Sequence, residues 1–211
     1  MLVTEHTTAS QDESRILHPS SRTLFRFWEA TRAEKPALRR SDLDLSQIRA
    51  LVPDLLIAAV DEASQTYRWR LAGTGICELY RSEMTGRNFL DGWDAFEADV
   101  IARFLAGVIH NQQPCLLRFR MHTDMNQIIG TELIGLPLLA SDSRSIHIFG
   151  GLFPFREIWT MCYGKIRSIE LSGARSIWTE HLPGDQLLAQ TARGPAERRF
   201  RNFEVIPGSR K

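Results

Sequence analysis

The sequence has few cysteines, and their spacing argues against a metal or redox site. Three occur among 211 residues, Cys77, Cys115 and Cys162, and they are far apart and odd in number. Zinc sites and thiol redox motifs need close cysteine pairs, which are missing. We therefore expect thiols that behave as small apolar side chains.

A long apolar run and a strong excess of one charge are also missing. No apolar run approaches the ~20 residues that span a bilayer, and the N-terminus lacks the basic start and apolar segment that export needs. The formal net charge is +1, and aromatic residues are not spaced among basic ones as a nucleic-acid stacking platform requires. We expect a cytoplasmic protein with no transmembrane segment and no nucleic-acid partner.

Catalytic motifs are absent as well. The chain has no glycine-rich phosphate loop followed by Lys, and Ser41 with Asp42 has no nearby His partner. An enzyme would need a converging acid–base set, for which His122 and His147 are candidates. Nothing in their spacing demands this, so we predict no enzyme, no catalytic residue and no metal site.

The chain is predicted to form one domain with an extension at each end. An apolar content of 43% is enough for one core. Residues 1–21 show little apolar periodicity and are predicted to be mobile, residues 22–155 form the domain, and residues 156–211 are a C-terminal extension. Within the extension, residues 165–171 and 175–178 could form short extended pieces that cover a sheet edge or pair with a partner subunit. The extension ends in a basic tail, which is either solvated or contacts an acidic partner or a membrane surface.

Apolar periodicity places the helices and strands. An opening helix runs from Ser21 or Thr23 to about Ala33, and a longer amphipathic helix covers residues 96–111. Alternation and turn residues predict five strands, at residues 55–61, 67–71, 115–123, 129–139 and 145–152. The last three should form two hairpins.

The most informative stretch is residues 66–93. A strand turns at Gly73 and Gly75 into a short helical segment, and a second glycine turn at Gly86 precedes the aromatic residues Phe89 and Trp93. These aromatic side chains must be buried to be stable.

This order of two strands, short helices, a longer helix and three antiparallel strands resembles the PAS superfamily. The resemblance covers residues 24–153 and is carried by the segments LFRFWEATRAEKPALRRSDLD, IRALVPDLLIAAVD, RLAGT, ELYRSEMTGRNFLDGW and IHIFGGLFPF. It is nearest to small, mostly alphaproteobacterial single-PAS proteins long grouped as a domain of unknown function. It implies an α+β fold with a five-stranded antiparallel sheet, helices packed on one face, an N-terminal helix and a C-terminal extension.

The resemblance also implies a function class. It indicates a stand-alone sensory or regulatory protein of bacterial signal transduction that acts by protein–protein contact, with a histidine kinase or another signalling protein as partner. The alternative is a carrier or sensor of a small molecule without a fixed partner. The resemblance to the PAS superfamily implies no particular cofactor. Phe89 stands where the flavin-binding photoreceptor branch of the superfamily has its reactive Cys, so a flavin adduct is excluded.

A PAS-like pocket would lie between one sheet face and the short helices. Its candidate wall residues are Ile57, Trp69, Leu71, Phe89, Trp93, Phe104, Phe119, Leu133 and Ile148. Arg70 or Arg118 could supply a polar group at its rim. All of these are also core candidates, so a pocket filled by its own side chains remains an alternative.

A contact surface is predicted on the opening helix and on the turn after it. Leu24, Phe27 and Trp28 form one stripe of the helix, and a homodimer through this stripe is the first expectation. Arg39 and Asp42 belong to a basic-then-acidic turn, which either fixes the chain by hydrogen bonds or is recognised by a partner.

Overall fold

The described part of the chain is built on one twisted sheet. The computed structural model describes residues 15–61, 64, 66–142, 144–156 and 164–177. The helices are α1 (Pro19–Arg32), α2 (Thr74–Tyr80) and α3 (Ala95–His110), with 3-10 helices at Arg40–Asp42 and Leu45–Asp54. The strands are β1 (Leu38–Arg39), β2 (Leu55–Asp61), β3 (Thr66–Ala72), β4 (Cys115–Thr123), β5 (Ile128–Leu139), β6 (Ile146–Pro154) and β7 (Ile166–Ser176).

The strand order is β3-β2-β6-β5-β4-β7, and β1 pairs with β5 off this path. All pairs are antiparallel except the parallel pair of β1 and β5. The α+β class and the five predicted strands are confirmed, and β1 is additional. The extended pieces expected at residues 165–171 and 175–178 form one strand, β7. β7 lies in the predicted C-terminal extension and covers the open edge of β4, while the basic tail and Cys162 lie outside the described residues.

Helices cover both faces of the sheet. We call the face under α2 and α3 the inner face and the face under α1 the outer face. Strand alternation separates the two cores: Ile148 packs on the inner face and its neighbour Phe149 on the outer face. The sheet is therefore the middle layer between two apolar clusters.

The helix α1 is a structural part of the outer face. Leu24 and Trp28 are 0% exposed and Phe27 is 8% exposed. The indole Nε1–H of Trp28 donates to the carbonyl oxygen of Pro137 on β5 at 2.9 Å. Pro137 lies just past Gly135, the residue at which the pairing of β5 with β4 ends. The prediction that these three side chains form a contact surface is wrong, because they are buried against the chain's own sheet.

The start of α1 is ordered earlier than predicted. Ile16 is 0% exposed, and the helix begins at Pro19, where the ring nitrogen Nδ1 of His18 accepts the N–H of Ser20 at 3.1 Å. The expected mobile segment, residues 1–21, is therefore wrong for residues 15–21. Residues 1–14 lie outside the described part of the chain.

The paired glycines of the informative stretch let two backbone segments touch. A Cβ at Gly73 would overlap the carbonyl oxygen of Pro53, and one at Gly75 would overlap a carboxylate oxygen of Asp54. The N–H of Gly73 donates to the carbonyl of Leu55 at 2.8 Å. Only glycine permits this approach, which seats α2 against the 3-10 helix before β2.

Candidate functional site

The inner core holds most of the predicted pocket wall. The structure brings together seven of the nine candidates, Trp69, Phe89, Trp93, Phe104, Phe119, Leu133 and Ile148. The rings of Trp69 and Phe89 stack with centroids 4.6 Å apart, and Tyr80 meets Trp69 edge-on at 6.4 Å. This region is an aromatic cluster packed between the sheet, α2 and α3.

The other two pocket candidates are placed wrongly by simple alternation. Ile57 belongs to the outer core, and Leu71 is 42% exposed. A β-bulge explains the second case: Ile57 pairs with Leu71 and Ala58 pairs with Trp69, which leaves Arg70 as the extra residue. The bulge reverses the face on which the following side chain lies.

Two polar groups lie within the aromatic cluster. Trp69 is 2% exposed, and its Nε1–H has no acceptor in the described part of the chain. Burial raises the pKa of the Tyr80 phenol, because the charged phenolate would lose its hydration. A buried donor without an acceptor is uncommon, and an oxygen atom of a bound molecule could satisfy it.

A buried carboxylate anchors the start of α1 to the sheet. Glu132 on β5 is 0% exposed and accepts the backbone N–H groups of Leu17 at 3.1 Å and His18 at 2.9 Å. Arg118 Nε donates to the same carboxylate at 2.8 Å, and its Nη2 donates to the carbonyl of Arg15. We call these residues the Glu132 anchor.

Sequence reasoning missed this anchor. Arg118 is one of two candidates for the pocket rim, the other being Arg70, but it faces the outer side, opposite Glu132 in the pairing of β4 and β5. The available signal was the acidic Glu132 inside the apolar run of β5, because a carboxylate in such a run needs a partner. Arg118 lies 14 positions away on the neighbouring strand, but the N–H groups of Leu17 and His18 lie more than 100 positions away and could not be located from spacing.

His18 connects the anchor to the end of β6. Its Nδ1 accepts the Ser20 N–H, and its Nε2 lies 3.2 Å from the carbonyl oxygen of Pro154. Only the neutral ring with its proton on Nε2 makes both bonds. Burial lowers the His18 pKa, against smaller raising effects of the Pro154 bond and the Glu132 charge.

A cleft of about 450 Å³ opens beside this histidine. Its lining includes His18, Asp54, Gly75, Phe153 and Phe155. Burial raises the pKa of the Asp54 carboxyl. The cleft therefore places a carboxyl group of raised pKa near the start of α1.

The histidines of the enzymatic alternative do not converge. His122 pairs opposite Ile128, and His147 pairs opposite Leu138, at the two ends of β5. Ten residues of strand separate those positions, roughly 33 Å at ~3.3 Å per residue. His122 and His147 therefore cannot form one acid–base site. No cluster able to hold a metal ion is found among the described residues.

The predicted turn surface is exposed. Arg39 and Asp42 both face solvent, and Asp42 accepts a hydrogen bond from the Ser41 hydroxyl at 2.8 Å. Lys35 Nζ lies 3.9 Å from the Asp42 carboxylate. Recognition of this turn by a partner stays a prediction.

Comparison with known protein families gives a match that covers the sheet from β1 to β6 and the helices packed on it. A family model described as PAS domain matches residues 16–153, more than half of the chain. The chain belongs to the PAS domain family. The matched range begins at the buried Ile16 and so includes all of α1 and most of the Glu132 anchor.

Membership of this family supports a sensory or regulatory role in general, since PAS domains are typically sensory and not catalytic. No curated protein matched the chain. Within the described segments, every helix of this PAS domain is too short or too polar to cross a membrane.

Proposed function

We propose that this PAS domain is a regulatory module of bacterial signal transduction that contacts a separate signalling protein, such as a histidine kinase, in the cytoplasm. The proposal rests on membership of the PAS family and on one observation, the Glu132 anchor. The anchor ties α1 to a strand whose other face belongs to the inner core. In this proposal α1 carries a change in that core to the surface.

The coupling runs through adjacent residues of β5. Leu133 packs in the inner core, and Glu132 points to the outer side and holds the N–H groups before α1. A change of the inner core that shifts β5 therefore alters three charge-assisted hydrogen bonds at once. A ligand or partner that prefers one arrangement would shift its population.

The proposed contact surface is the turn that follows α1. Arg39 and Asp42 are exposed there, whereas the stripe of α1 is buried. β1 belongs to this turn and pairs with Leu138 and Leu139 of β5, the strand that carries Glu132. The turn and the Glu132 anchor therefore both contact β5. A shift of β5 would move the exposed turn together with the start of α1.

The test compares two arginine variants. Cross-linking followed by mass spectrometry would first identify a signalling protein, and the purified pair would then be titrated with wild type, Arg39→Ala and Arg167→Ala. Arg167 is a matched control, since it is exposed on β7, a strand that does not pair with β1. We expect weaker binding and a smaller effect on the partner's activity for Arg39→Ala alone; equal behaviour of both variants would contradict the proposed surface.

A homodimer is the proposed resting state of the domain, because two-fold self-association is the common oligomer. The buried stripe of α1 cannot provide the interface without unfolding, so the dimer would use other surfaces. Analytical ultracentrifugation over a concentration series measures this directly. A monomer at all concentrations would remove the homodimer from the proposal and leave the contact with a different protein.

A second candidate function is small-molecule sensing in the inner core. It is favoured by the buried Trp69 Nε1–H, which has no acceptor among the described residues. Native mass spectrometry of the purified protein, compared with its denatured mass, would detect a retained ligand. Loss of that mass in Trp69→Phe, with the fold intact, supports this function; a bare protein in both forms rejects it.

A further inference from the structure

A second and more polar cleft opens at the end of the sheet where β2 ends and β6 begins. Its volume is about 1030 Å³. Its lining includes Asp61, Tyr67, Arg70, His110, Arg144 and His147. These residues come from the three neighbouring strands β3, β2 and β6, the end of α3 and the turn before β6. Most of the polar ones are cationic or able to become so.

The bulge of β3 places Arg70 in this lining. Arg68, the arginine before it, is paired with Asp61, with Nε and Oδ2 2.7 Å apart. Arg70 is the bulged residue, is exposed and has no acidic partner in the described segments. Because bulges redirect a side chain, this arginine is turned away from the ladder and toward the cleft.

Other cationic groups near the cleft also lack a counter-charge. The guanidinium groups of Arg144 and Arg40 have no acidic partner within the described ranges. Asp142 is engaged locally: it accepts the N–H groups of Arg144 and Ser145 and the Ser145 hydroxyl, and these bonds lower its pKa to about 2. The other nearby carboxylate, Asp61, lies in the cleft lining and is paired with Arg68. Both carboxylates are therefore engaged by groups other than the guanidinium groups of Arg70, Arg144 and Arg40.

His147 provides an independent observation in the same place. Its Nδ1 is buried and finds no hydrogen-bond partner in the part of the chain that the structure describes. Burial lowers its pKa, and the nearby charges of Arg70 and Arg40 lower it further against the raising effect of Asp142. The surroundings of this ring are therefore short of negative charge.

We propose that this cleft binds a small anionic molecule through phosphate or carboxylate oxygens, with Arg70 and Arg144 as charged donors and His147 as a further polar contact. Guanidinium groups present paired N–H donors that match the oxygens of both anion types. The site is at the opposite end of β6 from the Glu132 anchor and requires no part of the regulatory proposal above.

Isothermal titration calorimetry tests the proposal with inorganic phosphate, pyrophosphate and citrate, all at one ionic strength set with sodium chloride. We expect saturable binding of at least one of the three anions. Arg70→Gln should weaken it by about ten- to a hundredfold, the loss of one hydrogen-bonded charge contact. Binding of the phosphates alone or of citrate alone would identify the anion class.

Two further variants distinguish binding in this cleft from nonspecific attraction of anions to a positively charged surface. Arg144→Gln should weaken binding as Arg70→Gln does, whereas Arg167→Gln on β7 removes the same charge at the far edge and should leave binding unchanged. Equal unfolding midpoints would show that each variant is folded. The proposal is overturned if none of the anions binds saturably, or if all three variants behave alike.

Discussion

The backbone N–H of His18 donates to Oε1 of Glu132 at 2.9 Å, across 114 positions of the sequence. Together with the bond from Leu17, it fixes the start of α1 to the middle of β5. The carboxylate is fully buried, so these bonds and Arg118 supply all the stabilisation that water would otherwise give. The start of α1 is therefore fixed by one charged side chain, in addition to the apolar burial of the helix.

Replacing Glu132 by Ala should destabilise the domain strongly. It leaves the Nε–H of Arg118 and two backbone N–H groups without their acceptor. Removing one partner of a buried ion pair costs up to about 3–5 kcal/mol. Denaturant unfolding would measure the loss. Hydrogen exchange should show faster exchange at Leu17 and His18 first, because their N–H groups lose a direct partner.

Glu132→Gln is the matched control for this prediction. Gln keeps the size and one acceptor oxygen but loses the charge, so its loss of stability should be smaller than that of Ala. A Glu132→Ala protein as stable as wild type, or unchanged exchange of the N–H groups of residues 17 and 18, would show that the anchor does not fix α1.

Acidification should weaken the domain through His18. Burial lowers its pKa below the ordinary value of 6.5, so the unfolded chain takes up the proton at a higher pH than the folded chain. The stabilisation is complete above pH 6.5 and is lost as pH falls through the folded pKa. Unfolding free energies measured from neutral to mildly acidic pH should therefore decrease.

His18→Asn isolates this contribution. Asn is a good N-cap and can still accept the Ser20 N–H, but it does not titrate. His147 also has a lowered pKa and adds a pH dependence of the same sign, so His147→Gln is measured in parallel. Each variant should show a shallower decline than wild type; identical declines in all three proteins would refute the assignment.

Gly73→Ala should destabilise the domain although it adds only one methyl group. The new Cβ would overlap the carbonyl oxygen of Pro53, which is backbone and cannot rotate away. Overpacking of this kind typically costs about 1–3 kcal/mol. Thermal or denaturant unfolding provides the measurement.

Gly107→Ala is the opposite case in the same protein. Gly107 lies inside α3, and nothing lies within 4 Å of the Cβ that would be added. Alanine should stabilise this helix by up to about 1 kcal/mol, because glycine is the weaker helix former. A Gly73→Ala protein at least as stable as wild type would contradict the steric explanation of the Gly73 turn.

Local patterns predicted the elements well and the faces less well. The bounds of β2 and β4 were predicted as the structure has them, because alternation and flanking turn residues mark short strands. Leu71 was misplaced because one bulged residue, Arg70, reverses the alternation, and a bulge leaves no pattern in a short strand.

The role of α1 shows a second limit. Its apolar stripe of Leu24, Phe27 and Trp28 indicates burial, but periodicity cannot tell whether the covering surface is another chain or the same chain. The deciding features are long-range: the Trp28 bond to Pro137 and the Glu132 anchor both join residues more than 100 positions apart. Such contacts are fixed by topology and were not available from the sequence.

Trp28→Phe tests whether α1 is held by a specific bond as well as by apolar burial. The substitution keeps most of the buried ring but leaves the carbonyl oxygen of Pro137 without its indole donor, which should cost about 1–3 kcal/mol. Trp93→Phe is the control, since Trp93 is half-buried and contacts Phe119 edge-on at 5.1 Å without a hydrogen bond to its indole in the described structure. Its loss in denaturant unfolding should be clearly smaller. A Trp28→Phe protein as stable as the control would mean that packing alone holds α1 on the sheet.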